Sequence, residues 1–180
     1  MKTLTRDQQD GLWDKFWSEM NREWFKIEVL QDYTGEDDGP SLRAWKEGDR
    51  NRSIELLKTD EDPEFTNSCQ QKISHGVVLY RVHIVDEPLS EYMEWEMKYY
   101  EHVTIRLRGE RVFIARKFDL DGLDLPLGDV MIFDRRRAIV NSYDQNGLMK
   151  QADFYDEKDD ISRFLELRKT LKSLARPIRI

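Results

Sequence analysis

The sequence predicts one α+β (or α/β) domain across residues 1–180, with a mixed, mostly antiparallel sheet of about five to seven strands flanked by N- and C-terminal helices. Three observations lead to this class. Residues 76–96 combine the strongest strand signal in the chain with the start of an amphipathic helix. The second half contains short alternating segments separated by turn residues. Apolar residues recur at helical spacing near both ends, and the length suits one domain.

The first helix is expected at about residues 7–21. Thr5 and Gln8 have the spacing of a capping box, and apolar residues then recur every three or four positions. Beyond this helix the period changes to two, since Phe25 and Ile27 alternate with polar residues. This change predicts a short strand, with a continued helix as the alternative.

The next segments are short or irregular. Residues 34–40 form a loop by composition, and Ser41 is expected to cap a short helix that stops at Gly48. Residues 49–62 are charged and lack a clear period. We therefore expect no regular element there.

A longer helix begins at the Asp62-Pro63 pair, because proline is favoured at the first helical position, and Gly76 is a suitable residue to end it. Its apolar face includes Cys69. We interpret this cysteine as a small core residue rather than a nucleophile.

Residues 77–85 are apolar on both sides, as in a central strand that is covered on both faces. Pro88 is expected to end this strand and to begin a helix that runs to about Glu101. The last helix is expected over about residues 157–175, with Pro177 stopping it. Five further strands are predicted, over residues 103–107, 111–115, 130–133, 138–140 and 148–154, with turns at residues 108–110, 134–136 and 143–147.

The composition excludes several kinds of protein. The net charge of −7 disfavours general binding to nucleic-acid phosphates, which needs a surplus of basic residues. The single cysteine excludes an intramolecular disulfide and a multi-cysteine zinc site. No apolar run approaches the ~20 residues of a membrane span, and the N-terminus lacks the apolar segment of a signal peptide. We therefore expect a cytoplasmic protein.

Known catalytic motifs are missing from the sequence. The three histidines, His75, His83 and His102, fit no metal-ligand spacing, and no phosphate-binding glycine loop or nucleophile elbow is present. We therefore predict no catalytic residue, no metal site and no cofactor. A non-enzymatic regulatory or protein-interaction module is the favoured interpretation.

One polar cluster is harder to explain. Glu96 lies within the apolar stripe of its predicted helix, and a carboxylate that faces a core needs a partner. Arg81 or His83 on the preceding strand could supply it. A buried ion pair that docks the helix is one interpretation, and Arg168 in the last helix is a similar case. The other is a polar pocket formed by Arg81, His83, Tyr92 and Glu96, which would make the protein an enzyme or a small-molecule sensor.

The only dense basic run is Arg135-Arg136-Arg137. A solvated hairpin turn is the favoured interpretation, because Asp129 and Asp134 dilute its charge. A phosphate contact, and with it association with nucleic acid, is the second alternative.

Several short motifs follow one another along the chain. They are Glu28 with Tyr33; residues 81–85, 88–92 and Glu96; Gly109-Glu110; Leu125-Pro126; residues 132–134; and Tyr143-Asp144 with Gly147. Their order resembles an uncharacterised domain-of-unknown-function family from actinobacteria, over roughly residues 15–170. The resemblance implies an intracellular protein whose gene often lies beside a helix-turn-helix regulator, so that such a regulator is a possible partner. It implies no activity.

Overall fold

The computed structural model describes residues 2–35, 39–59 and 62–178. Parts of the predicted loop 34–40 and of the charged segment 49–62 lie outside these ranges. Within them the chain forms an eight-stranded mixed sheet. Its strands are β1 (Lys2–Leu4), β2 (Glu23–Glu28), β3 (Val78–Val85), β4 (Arg111–Arg116), β5 (Asp129–Phe133), β6 (Arg137–Tyr143), β7 (Met149–Tyr155) and β8 (Arg176–Pro177).

The strand order is β1-β7-β6-β5-β2-β3-β4-β8. Strands β2, β3 and β4 are parallel neighbours, and the remaining pairs are antiparallel. The predicted α+β class is therefore confirmed. The sheet has more strands than the predicted five to seven because β1 and β8 add short edge strands of three and two residues.

Helices cover both faces of the sheet. The described part contains six of them: α1 (Arg6–Glu19), α2 (Pro40–Lys46), α3 (Arg50–Leu57), α4 (Pro63–Ser74), α5 (Glu91–Tyr99) and α6 (Lys158–Leu174). Helices α1 and α4 pack on one core cluster with Leu79, and α2, α3 and α5 pack on another with Val85. Helix α6 packs on the opposite face with Val82 and Ile84. None of the helices in the described ranges has the length and apolar character that crossing a bilayer requires.

Several predicted boundaries are confirmed. Thr5 and Gln8 form the capping box of α1, and Asp62 caps α4 directly before Pro63. Gly76 follows α4 with a φ of +87°, a conformation that glycine adopts without strain. The predicted central strand is β3, between β2 and β4.

The predicted strand over residues 103–107 is wrong. The chain continues from α5 into a π-helical turn, Tyr100–Ile105. Three β-branched residues gave this segment a strand-like pattern, but burial of Tyr100, Val103 and Thr104 holds it against the core as a helical turn. The helix also begins later than predicted, at Glu91 rather than Pro88, because the Ser90 hydroxyl accepts a hydrogen bond from the Met93 backbone N–H.

Helix α3 was not predicted, because its residues are mostly polar. The Asp49 side chain caps it by accepting a hydrogen bond from the Arg52 backbone N–H. Buried Ser53 and Leu57 anchor it. Helix α2 begins at Pro40, with Gly39 as the capping residue in place of the predicted Ser41.

Candidate functional site

A cleft runs between helices α1 and α5 over strands β2 and β3. It consists of a first cavity of about 300 Å³ and a second of about 320 Å³. Lys26 and Glu96 line both cavities, so the two spaces meet at these side chains. We call this space the α1–α5 cleft. It lies between the two core clusters on the same face of the sheet.

Glu28 is the centre of the cleft floor. Lys26 Nζ and Arg81 Nη1 each lie 2.6 Å from its Oε1, and the Tyr100 hydroxyl donates to its Oε2 at 2.7 Å. Burial alone would raise the pKa of Glu28, but the two cations outweigh burial and hold the pKa below its usual range. Glu28 is therefore an ionised carboxylate that already has its partners.

Arg81 links Glu28 to a second carboxylate. Its Nε donates to Glu110 Oε2 at 3.1 Å, and the side chain is buried. Burial opposes the charge, but Glu110 and Glu28 raise the pKa of Arg81 well above its usual value. The guanidinium is thus neutralised from two sides.

His83 lies beneath this ion-pair network with no exposed surface. Its Nε2 lies 2.7 Å from the Leu30 carbonyl oxygen, which can only accept, so Nε2 carries a proton. Its Nδ1 lies 2.7 Å from the Tyr100 hydroxyl oxygen, so Nδ1 and Glu28 Oε2 compete for the single proton of that hydroxyl. Burial lowers the pKa of His83. Both ring nitrogens therefore lie within hydrogen-bonding distance of groups in the protein.

Glu96 Oε2 is buried and has no hydrogen-bond partner among the described residues, and the same is true of Glu110 Oε1. The side chain projects from α5 into the cleft and is only 7% exposed. His83 Nδ1 is 3.6 Å from this oxygen, which is beyond hydrogen-bonding range. Burial, reinforced by the negative charge of Glu28, raises the pKa of Glu96 well above its usual value.

A second polar group lies at the other end of the cleft. The hydroxyls of Tyr33 and Tyr143 donate to Asp129 Oδ2 at 3.0 and 2.9 Å. Burial raises the pKa of Asp129 to about 6. Tyr92 lines the second cavity beside Tyr33. This end of the cleft therefore has a tyrosine-rich wall.

A metal ion fits this floor poorly. Glu28, His83 and Glu96 have ligand atoms within 4.8 Å of one another. However, a metal would need a free lone pair on His83, and it would enter beside the Lys26 and Arg81 cations that already balance Glu28. The arrangement suits an ion-pair network better than a divalent cation.

The structure brings three of the four predicted site residues together. Arg81, His83 and Glu96 surround Glu28, and Tyr92 lies one helical turn before Glu96. Sequence reasoning did not assign Lys26, Glu28, Tyr100 or Asp129 to the site. A signal for part of the floor was nevertheless present, since the motifs of the family resemblance include Glu28, Tyr33, Glu110 and Tyr143.

The basic run lies at the turn between β5 and β6, where Asp134 and Arg135 have positive φ angles. Each arginine has a carboxylate partner. Arg135 pairs with Glu23, Arg136 with Asp134 and Arg137 with Glu19. This pairing supports the hairpin-turn interpretation over a phosphate contact.

Comparison with known proteins leaves the site without an assigned role. A family model described as a domain of unknown function (DUF6879) matches residues 11–179. A search of curated proteins finds no match. The matched region contains Lys26, Glu28, Arg81 and Glu96, so the whole cleft floor lies within it. Because this family model matches well over half of the chain, the protein belongs to the DUF6879 family.

Proposed function

We propose that the protein is a non-enzymatic regulatory module that binds a small polar molecule in the α1–α5 cleft. Such a sensor would act inside the cell. The proposal joins two of the functions that the sequence left open, a regulatory module and a small-molecule sensor.

The observation that carries the proposal is a group of unsatisfied polar atoms. Glu96 Oε2, Trp24 Nε1 and Gln9 Oε1 are buried and have no hydrogen-bond partner within the described ranges. All three residues line the α1–α5 cleft. An unmet buried donor or acceptor costs about 1–3 kcal/mol, so a ligand that pairs with these atoms would recover that free energy.

Binding without turnover is favoured by the state of the titratable groups. A general base needs a free lone pair within reach of its substrate. His83 has no exposed surface, and both of its ring nitrogens lie against protein groups. Glu28 is neutralised by Lys26 and Arg81. These two residues are therefore poor general bases, which favours recognition over turnover.

The test is a thermal-shift and calorimetric scan with cationic, anionic, zwitterionic and neutral small metabolites. We expect at least one compound to raise Tm, with about tenfold or greater loss of affinity in Glu96→Gln because a charge-assisted hydrogen bond is lost. Glu94→Gln is the matched control, since Glu94 lies on the same helix and is exposed. A scan in which no class binds, or in which Glu96→Gln binds every compound normally, contradicts the proposal.

A second candidate function is protein interaction, which an exposed apolar patch favours. Leu127 is 99% exposed and Leu123 is 37% exposed. The two leucines border a groove of about 730 Å³ against α6. Clustered apolar side chains of this kind are typical of contact surfaces. The partner suggested by the family resemblance is a helix-turn-helix regulator.

A further inference from the structure

We propose that the ligand of the α1–α5 cleft is a small zwitterion, whose protonated amine binds Glu96 and whose acid group binds Arg108. This inference rests on the proposed function and specifies the chemical class of its ligand. It is argued from three features of the first cavity: a buried arginine, the pairing of the other charges, and the aromatic walls.

Arg108 is the first feature. Its side chain is only 8% exposed and lines the first cavity. Its Nε donates to Thr66 Oγ1 at 3.4 Å, and the guanidinium packs over the rings of Phe65 and Tyr99. No carboxylate of the described residues lies within ion-pair distance of it. A guanidinium stays charged in proteins, and a buried charge needs an anion.

The pairing of the remaining charges in this cavity is the second feature. Lys26 is matched by Glu28, and Arg81 is matched by Glu28 and Glu110. The ionisable residues without a charged partner in the first cavity, among those described, are Arg108 and Glu96. Arg108 is a cation, and Glu96 becomes an anion when it ionises, so a ligand with one charge would pair with one of them and a zwitterion would pair with both.

The third feature is the size of the cavity and its aromatic lining. A volume of about 300 Å³ lies at the lower end of the usual range for small-molecule sites and accommodates one amino-acid-sized molecule. Aromatic rings also attract ammonium groups. Trp24 belongs to the wall of this cavity, and its buried Nε1–H has no partner among the described residues. The aromatic wall consists of Trp13, Trp24, Phe65, Trp95, Tyr99 and Tyr100.

Binding should also move a proton. In the empty cleft, burial favours the neutral carboxyl form of Glu96. An ammonium placed beside it stabilises the carboxylate, so the Glu96 proton leaves to solvent when the ligand binds. Calorimetry at a pH below the raised pKa of Glu96, in buffers of different ionisation enthalpy, should therefore detect proton release. Glu96→Gln should abolish that release.

The test compares ligands of the same skeleton by calorimetry. Phenylalanine is the zwitterion, 2-phenylethylamine lacks its acid group and 3-phenylpropanoate lacks its amine. Leucine, isoamylamine and 4-methylpentanoate form an aliphatic set. In at least one set we expect the zwitterion to bind tenfold or more tightly than both analogues, since each lost charge-assisted contact costs about that factor.

Two variants assign the groups. Arg108→Gln should remove the preference for the zwitterion over the amine, and Glu96→Gln should remove the preference over the acid. Arg106→Gln and Glu94→Gln are matched controls at exposed neighbouring positions and should keep both preferences. Thermal unfolding of each variant without ligand separates lost binding from lost folding.

The zwitterion assignment is overturned if neither set shows the tenfold preference, including the case in which no member of either set binds. The proposed function survives that result if another class of compound binds in a manner that depends on Glu96. If no class of compound binds, both the zwitterion assignment and the proposed function are contradicted. This result differs from the failure of the zwitterion assignment alone.

Discussion

At the scale of single residues, Glu96 makes the stability of the protein depend on pH. Its pKa is raised above the ordinary value of 4.5, so between 4.5 and the raised pKa the folded state binds more protons than the unfolded state. The contribution of this carboxyl to stability is complete below the ordinary pKa and is lost as pH rises through the folded one.

We therefore expect the free energy of unfolding of the wild type to decrease more steeply above pH 4.5 than that of Glu96→Gln, whose side chain does not titrate. Urea unfolding from pH 5 to pH 8 measures the difference. Glu94→Gln should follow the wild type. Parallel curves for Glu96→Gln and wild type would show that Glu96 remains ionised in the folded protein.

At the scale of secondary-structure elements, one ion pair docks α6 on the sheet. Arg168 donates to both oxygens of Glu23, with Nε 2.7 Å from Oε1, and its guanidinium packs over Phe25. Both side chains are nearly buried. A pair of this kind specifies how a helix lies on its sheet, because losing one partner leaves a buried charge unmatched.

Arg168→Met should destabilise the protein by about 2–4 kcal/mol, because it leaves the buried Glu23 carboxylate without its main partner. Arg135, the other partner of Glu23, partly compensates for the loss. Chemical denaturation measures the change. Arg163→Met on the same helix should stay within about 0.5 kcal/mol, because Arg163 and its partner Asp124 are exposed. Equal effects of the two substitutions would argue against this role of Arg168.

The same elements show which parts of the site can be predicted from sequence. The inward position of Glu96 follows from helical periodicity, because apolar neighbours surround it. Lys26 and Glu28 were missed because an alternating strand with one covered face turns its charged residues to solvent. Here helices cover both faces of β2, so these charges lie inside. Lys26 pairs with Glu28 within β2, but the other partner of Glu28 is Arg81 on β3, and the periodicity of one strand does not show a pairing between two strands.

At the scale of the whole molecule, the apolar patch and the α1–α5 cleft give independent tests. If the patch binds a helix-turn-helix regulator, the partner that the family resemblance suggests, Leu127→Glu should weaken that complex at least about tenfold, because a charge would enter an apolar contact. Calorimetry with the purified regulator measures the affinity. Leu174→Glu is the control, at an exposed leucine that does not line the groove. An unchanged affinity for Leu127→Glu would contradict this assignment of the patch.

The central position of β2 also has a consequence for how the chain folds. Trp24 lies beside Leu79 on one side and Phe133 on the other. The backbone hydrogen bonds of β2 are therefore complete only after both β3 and β5 have paired with it. Strand β5 lies much later in the chain than β3. Such non-local pairing slows folding, because the entropy of closing long loops is lost before the contacts form. During synthesis β2 would expose an unpaired edge until β5 leaves the ribosome, and that interval is when the nascent chain is most open to misassembly.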